Sequence, residues 1–244
     1  MYTPRIILKK KFQFSDIRVE IVSDEWKANP AYDEQVAKAW VEKQELAKKE
    51  GATIWDGLYY RVVNVDEIEK IKEPILRLGT IYYRYIHTAP LLKESFFANK
   101  FEPPFHLSTT AAIRTSDGFY LFGKRSRNGA IDLIGGGVQK DQLEITNGDD
   151  LEKNLLKEMA EEAGIQKSDI KEIEGIGILH SITSNILIVA HVQLNLSKQE
   201  AIAAFENRGE NEMAEPIFIP EAELKPSLQK MTSYRPLIAE LLEG

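Results

Sequence analysis

The stretch Lys157-Glu158-Met159-Ala160-Glu161-Glu162-Ala163-Gly164-Ile165 constrains this chain more than any other. On a helix, at about 100° per residue, Glu158 and Glu162 are i and i+4, and Glu158 and Glu161 are i and i+3. Three carboxylates therefore share one side. Leu151, Leu155, Leu156, Met159, Ala160 and Ala163 fill the neighbouring arc, which can pack on a core. Gly164 stands where a helix stops in a left-handed cap. Carboxylates at i,i+4 repel one another by a few tenths of a kcal/mol at a surface. A divalent cation turns that repulsion into ligation, and oxygen-only ligands suit magnesium or manganese rather than zinc. Upstream, Gly135-Gly136-Gly137 follows the apolar segment Ala130-Ile131-Asp132-Leu133-Ile134. Glycines there let the backbone approach a metal or a phosphate closely.

Each residue also has a plainer reading. A Glu-Glu pair near a helix end is commonly a solvated face. Asp149-Asp150-Leu151-Glu152 reads as an N-cap with a capping-box Glu, and Lys157 as the i,i+4 partner of Glu161. The order of features favours a site: an apolar strand, three glycines, a capped helix, the glutamate trio and a terminal glycine.

That order resembles the signature of the Nudix hydrolases. The signature is Gly, five residues, Glu, seven residues, then Arg-Glu-apolar-x-Glu-Glu-x-Gly-apolar. The second half matches with Lys157 in place of Arg. In the first half, the isolated Glu falls on Asp149 and the Gly on Leu143, and the usual Pro-Gly-Gly is absent. The glycines lie further upstream, so the loop carries an insertion of about six or seven residues around Lys140 to Asn147. Beyond the signature, the chain resembles the UDP-sugar diphosphatase branch with an extra N-terminal domain. The cues are Trp55 to Arg61, Leu78 to Thr88, and Glu210 to Pro220.

Length and composition fit this frame. At 244 residues, one large or two modest domains are expected. The reading is α/β: a Nudix-type α/β/α sandwich over residues 104–244 with a small N-terminal α+β domain over residues 1–103, divided at Pro103-Pro104. A net charge of −7 argues against nonspecific nucleic-acid binding. Cysteine is absent, which excludes disulfides and thiol chemistry and fits a reducing, cytoplasmic setting. No apolar run approaches membrane length. The expected partner is a small-molecule nucleotide.

Periodicity places the remaining elements. Strands are expected over Ile17–Val22, Thr53–Trp55, Leu58–Val65, Ile75–Ile86, Leu107–Arg114, Phe119–Lys124, Ile170–Ser181, Asn185–Leu194 and Pro216–Pro220. Asn185–Leu194, nearly all apolar, is expected to be central. A helix is expected from Pro30 to about Lys49, with Val36, Trp40, Val41 and Leu46 on its apolar side and Gly51 closing it. Two more helices are expected over Asp150–Gly164 and from Ser197 to about Phe205, the latter with Glu200 as capping-box residue.

The resemblance implies a magnesium- or manganese-dependent hydrolase that cleaves a UDP-sugar to UMP and a sugar 1-phosphate. Glu158, Glu161 and Glu162 would be catalytic and metal-binding. A carbonyl of Gly136 or Gly137 would add a ligand. Lys124 and Arg125 would meet phosphate, with ordinary surface charge as their plainer reading. Other members draw a base or ligand from a late loop, which here holds Glu210, Glu212 and Glu215. Glu144 in the insertion is a further candidate, and His180 is expected to be structural. Tyr59, Tyr82 and Tyr83 suit either a base or sugar to stack on or a core. Two alternatives stay open: another nucleoside diphosphate such as ADP-ribose, or a Nudix-fold binding module whose catalytic site has drifted.

Overall fold

The computed structural model describes residues 3–49, 53–89, 92, 104–126, 128–181 and 185–243. Gly51 and Pro103 lie outside them. Among the described residues, eleven strands form one mixed sheet with helices on both faces. The strands are β1 (Arg5–Phe12), β2 (Arg18–Glu25), β3 (Leu58–Val62), β4 (Ile75–Tyr82), β5 (His106–Arg114), β6 (Phe119–Arg125), β7 (Ile131–Asp132), β8 (Ile134–Gly137), β9 (Ile170–His180), β10 (Asn185–Leu194) and β11 (Met213–Pro220). The helices are α1 (Pro30–Lys49), α2 (Val65–Ile71), α3 (Tyr83–Thr88), α4 (Gly148–Ala163), α5 (Lys198–Glu206), α6 (Glu221–Lys230) and α7 (Arg235–Leu242).

β5 is where the sheet branches. One edge pairs in parallel with β10 along its length, from His106–Asn185 to Arg114–Gln193. The other edge meets three strands in turn: β3 at His106, β8 over Ser108–Ala111, and β6 at Ile113 and Arg114. The strands expected over Leu107–Arg114 and Phe119–Lys124 therefore pair with each other only beside their turn, and the glycine strand fills the fork. β10 lies between β9 and β5, as its apolar composition predicts.

Alternation along these strands builds two cores. Leu107, Ala111 and Ile113 of β5 face α4, meeting Leu151, Leu155 and Met159. Ala112 faces the other way, with Leu224, Leu228, Ile238 and Leu241 of α6 and α7. This is the expected α/β/α layering. A smaller cluster holds Trp26, Tyr32, Val36, Ile81 and Tyr85. Strands from residues 1–103 join the same sheet, β1 against β9 and β3 against β5.

Several elements differ from expectation. β1 was not expected, because Lys9-Lys10-Lys11 breaks the apolar alternation. Among the described residues it pairs in the sheet with β9 alone, as an edge strand, where lysines are tolerated. Residues 53–57 are not a strand, and Asp56 instead binds Arg84 at 3.0 Å. Val65 opens α2, and the expected strand Ile75–Ile86 turns helical at Tyr83. On α1, Val36 and Trp40 are buried, but Val41 and Leu46 are half exposed, since Tyr32, Val36, Ala39 and Trp40 set the inward face. The capping box of α4 uses Asn147 and Asp150, so the helix opens earlier than Asp149 implied.

Candidate active site

α4 delivers the glutamates. Asn147 caps it through its side chain, and Gly164 ends it at φ 72°. Leu151, Leu155, Met159 and Ala163 are fully buried, which fixes the helix rotation. Glu158 and Glu162 then point at the glycine strand. Gly135 has φ +148°, a conformation that L side chains rarely adopt, and a Cβ there would run into the Thr109 carbonyl. Its N–H donates to Glu162 Oε2 at 3.0 Å. At Gly136 the space of a Cβ is taken by the Glu158 carboxylate. At Gly137 a Cβ would stand 2.7 Å from the Tyr59 ring.

Burial dominates the electrostatics of both carboxylates. Glu162 is 1% exposed, and desolvation pushes its carboxyl up to about 8, against the opposing pull of the Gly135 N–H and Arg125. Glu158 is also raised, by burial first, with Lys157 pulling it back. Glu161 differs. Its carboxylate lies 2.9 Å from Lys157 Nζ and is about a third exposed. The same ammonium is 3.4 Å from Glu158. The i,i+4 pair expected of Lys157 is therefore present. Among the described residues, no three acidic or histidine side chains converge as a ready-made metal cage.

Glu158 and Glu162 line a cavity of about 620 Å³, together with all three glycines. Arg125 enters from β6, paired with Asp132 at 3.1 Å and with Glu212. Glu212 lines the cavity too, whereas Lys124 and Glu215 pair with each other at 2.6 Å away from it. Glu210 joins α4 through its backbone, donating to the Glu161 carbonyl. Glu144 and Asp149 are exposed. His180 is buried beside Arg5 and lies outside the cavity.

Sequence reasoning missed a second guanidinium. Arg235, at the start of α7, contacts Asp132 at 3.0 Å, and its neighbour Tyr234 donates to the same carboxylate at 2.6 Å. Asp132 thus ties β7 to α7 and holds Arg125 and Arg235 at one wall. The only sequence signal was Pro236, which marks a helix start. His106, Gln139 and Asn185 were also missed, because each lies in a strand or loop with no motif around it. The arrangement brings buried carboxylates and two guanidiniums into one cavity, which suits a phosphorylated ligand and a cation together.

No family model matches the chain, and a search of curated proteins finds no match. Solved structures do resemble it at low identity. Tm1382, provisionally assigned as a Nudix hydrolase, is 14% identical over 84% of this chain and 94% of its own, at a TM-score of 0.47. DR0079 from Deinococcus radiodurans is 16% identical over 59% of this chain and 87% of its own, at 0.40. A bifunctional NMN adenylyltransferase/ADP ribose pyrophosphatase from Francisella tularensis, complexed with AMP and Mn ion, is 14% identical over 64% of this chain and 46% of its own, at 0.41. Among the described residues, no helix is long and apolar enough to cross a membrane.

Proposed function

We propose that the protein is a metal-dependent hydrolase that cleaves the pyrophosphate of a nucleoside diphosphate derivative. The observation that carries this reading is the meeting of Glu158 and Glu162 with Gly135 and Gly136 in a cavity that also holds Arg125 and Arg235. The donor set fits a hard divalent cation: two buried carboxylates, both raised by desolvation, share one glycine cradle. Glu158 and Glu162 would hold Mg2+ or Mn2+, with Glu161 joining when Lys157 yields it and a carbonyl of Gly136 or Gly137 completing the set. When bound, the ion neutralises phosphate oxygens and the charge that develops on them.

The chain's own groups do the rest. Arg125 and Arg235 pair with the non-bridging oxygens and fix the pyrophosphate. One glutamate of α4 takes a proton from water, whose oxygen forms the new bond to phosphorus as the bridging P–O bond breaks. The leaving phosphate departs with that electron pair. Glu212, which lines the cavity from the late loop, would assist either role. The finer substrate assignment is a UDP-sugar, cleaved to UMP and sugar 1-phosphate. Its support is that both N-terminal cue segments reach the cavity, through Tyr59 and through Tyr83 and Ile86. Residues 1–103 are read as the unit that shapes the substrate pocket, and residues 104–244 as the catalytic unit. The absence of cysteine suits work in the cytoplasm.

A second reading has its own observation. Lys157 neutralises Glu161, and among the described residues no three-carboxylate cage is formed, as a drifted binding module would show. Hydrolysis of UDP-glucose and of ADP-ribose, with magnesium and then with chelator, separates the readings. Chelator-sensitive release of UMP and glucose 1-phosphate is expected. Cleavage of ADP-ribose alone keeps the chemistry and changes the substrate. No cleavage across a wider nucleoside diphosphate panel makes the binding module the better account.

A further inference from the structure

At the end of the same cavity away from Glu162, a compartment is lined by neutral polar and aromatic side chains. Its floor is the start of β5 and β10, where His106 stands opposite Asn185. Gly135 lies opposite Thr110, so His106 is four residues further along β5, about 13 Å away at strand rise. Three buried polar atoms there find no hydrogen-bond partner among the described residues: Nδ1 of His106, Oε1 of Gln139 and Oδ1 of Asn185. Buried polar atoms are nearly always paired in folded proteins, so three in one cavity mark a place for a ligand. All three residues line the same cavity.

An aromatic wall flanks them. Tyr59 and Tyr83 stack with centroids 5.2 Å apart and planes 23° apart, and His87 extends the stack at 5.0 Å. Gln139 bridges to Tyr59 through the backbone, so the wall and the polar floor are tied together. Burial holds His106 down to about 4, which leaves it neutral at physiological pH. The reading groups of this compartment are thus uncharged, while the cavity's guanidiniums stay at Asp132.

Resting on the hydrolase reading above for the phosphate end, we propose that this compartment takes the nucleobase. The base lies against the Tyr59–Tyr83 wall, and His106, Gln139 and Asn185 read its edge. Uncharged hydrogen-bonding groups beside aromatic rings suit a planar ring with polar groups at its rim. The side chains that select the substrate then come from both sides of residue 103.

Calorimetric titration with AMP, UMP, GMP and CMP, beside ribose 5-phosphate and glucose 1-phosphate, tests this without turnover. At least one mononucleotide is expected to bind tenfold or more tightly than either sugar phosphate. Asn185→Ala and Gln139→Ala are expected to remove most of that advantage and to leave ribose 5-phosphate affinity within twofold. The isosteric Asn185→Asp, which preserves packing, should also lower base preference. The inference is overturned if no mononucleotide exceeds ribose 5-phosphate, if glucose 1-phosphate binds tightest, or if the preference survives all three variants. A chain that prefers a base and hydrolyses nothing would keep this inference and refute the hydrolase reading. A hydrolase indifferent to the base would do the reverse.

Discussion

Burial keeps the Glu162 carboxyl protonated up to about pH 8, whereas in an unfolded chain it ionises near 4.5. Between those values the folded protein binds the extra proton. The stability this group contributes is therefore full below about pH 4.5 and is lost as pH rises through 8. Glu162→Gln removes the ionisable group and keeps an acceptor for the Gly135 N–H. In chelator, its melting temperature should exceed the parent's by at least about 3 °C at pH 8.5 and match it within about 1 °C at pH 4. Equal melting temperatures at both pH values would contradict the buried, raised carboxyl. The sequence showed that Glu158 and Glu162 share a helix side. It did not show that the side faces Gly135 and Gly136, because that depends on how α4 packs on β5. Arg235 was invisible for the same reason: it lies far along the chain, and only the packing of α7 brings it to Asp132.

At the scale of elements, α4 was the most legible, since its apolar arc, its caps and its glycine stop agree. The insertion before it was legible as an insertion but not as a structure. It is stitched to β3, with the Lys140 N–H on the Leu58 carbonyl, the Leu58 N–H on Asp141 at 2.7 Å, and the Ile145 N–H on the Tyr60 hydroxyl at 3.1 Å. Such long-range pairings leave no periodic trace. β1, α2 and α3 were missed because each is short or breaks its own pattern. The start of α4 is also gripped by the N-terminal segment: a Cβ on Gly148 would run into the Phe14 carbonyl and crowd Ile17. Gly148→Ala should therefore lower stability by at least about 2 kcal/mol, read as a fall in the urea midpoint. An unchanged midpoint would show that the two segments do not bear on each other as described.

Across the whole molecule, the site is an assembly of distant pieces. β8 fills the fork beside β5, α4 supplies carboxylates from one layer, and α7 supplies Arg235 from the other. The α/β/α layering was readable from strand and helix alternation, whereas the branching at β5 was not, since strand order is set by pairing rather than by composition. As proposed, the glutamates of α4 at the glycine strand form a metal-dependent pyrophosphohydrolase centre. Turnover of the best nucleoside diphosphate substrate in magnesium, by Glu158→Gln, Glu161→Gln and Glu162→Gln beside the parent, decides this. Glu158→Gln and Glu162→Gln are each predicted to lose at least about a hundredfold in kcat, and Glu161→Gln, held by Lys157, about tenfold. Full activity in Glu158→Gln and Glu162→Gln would contradict the account.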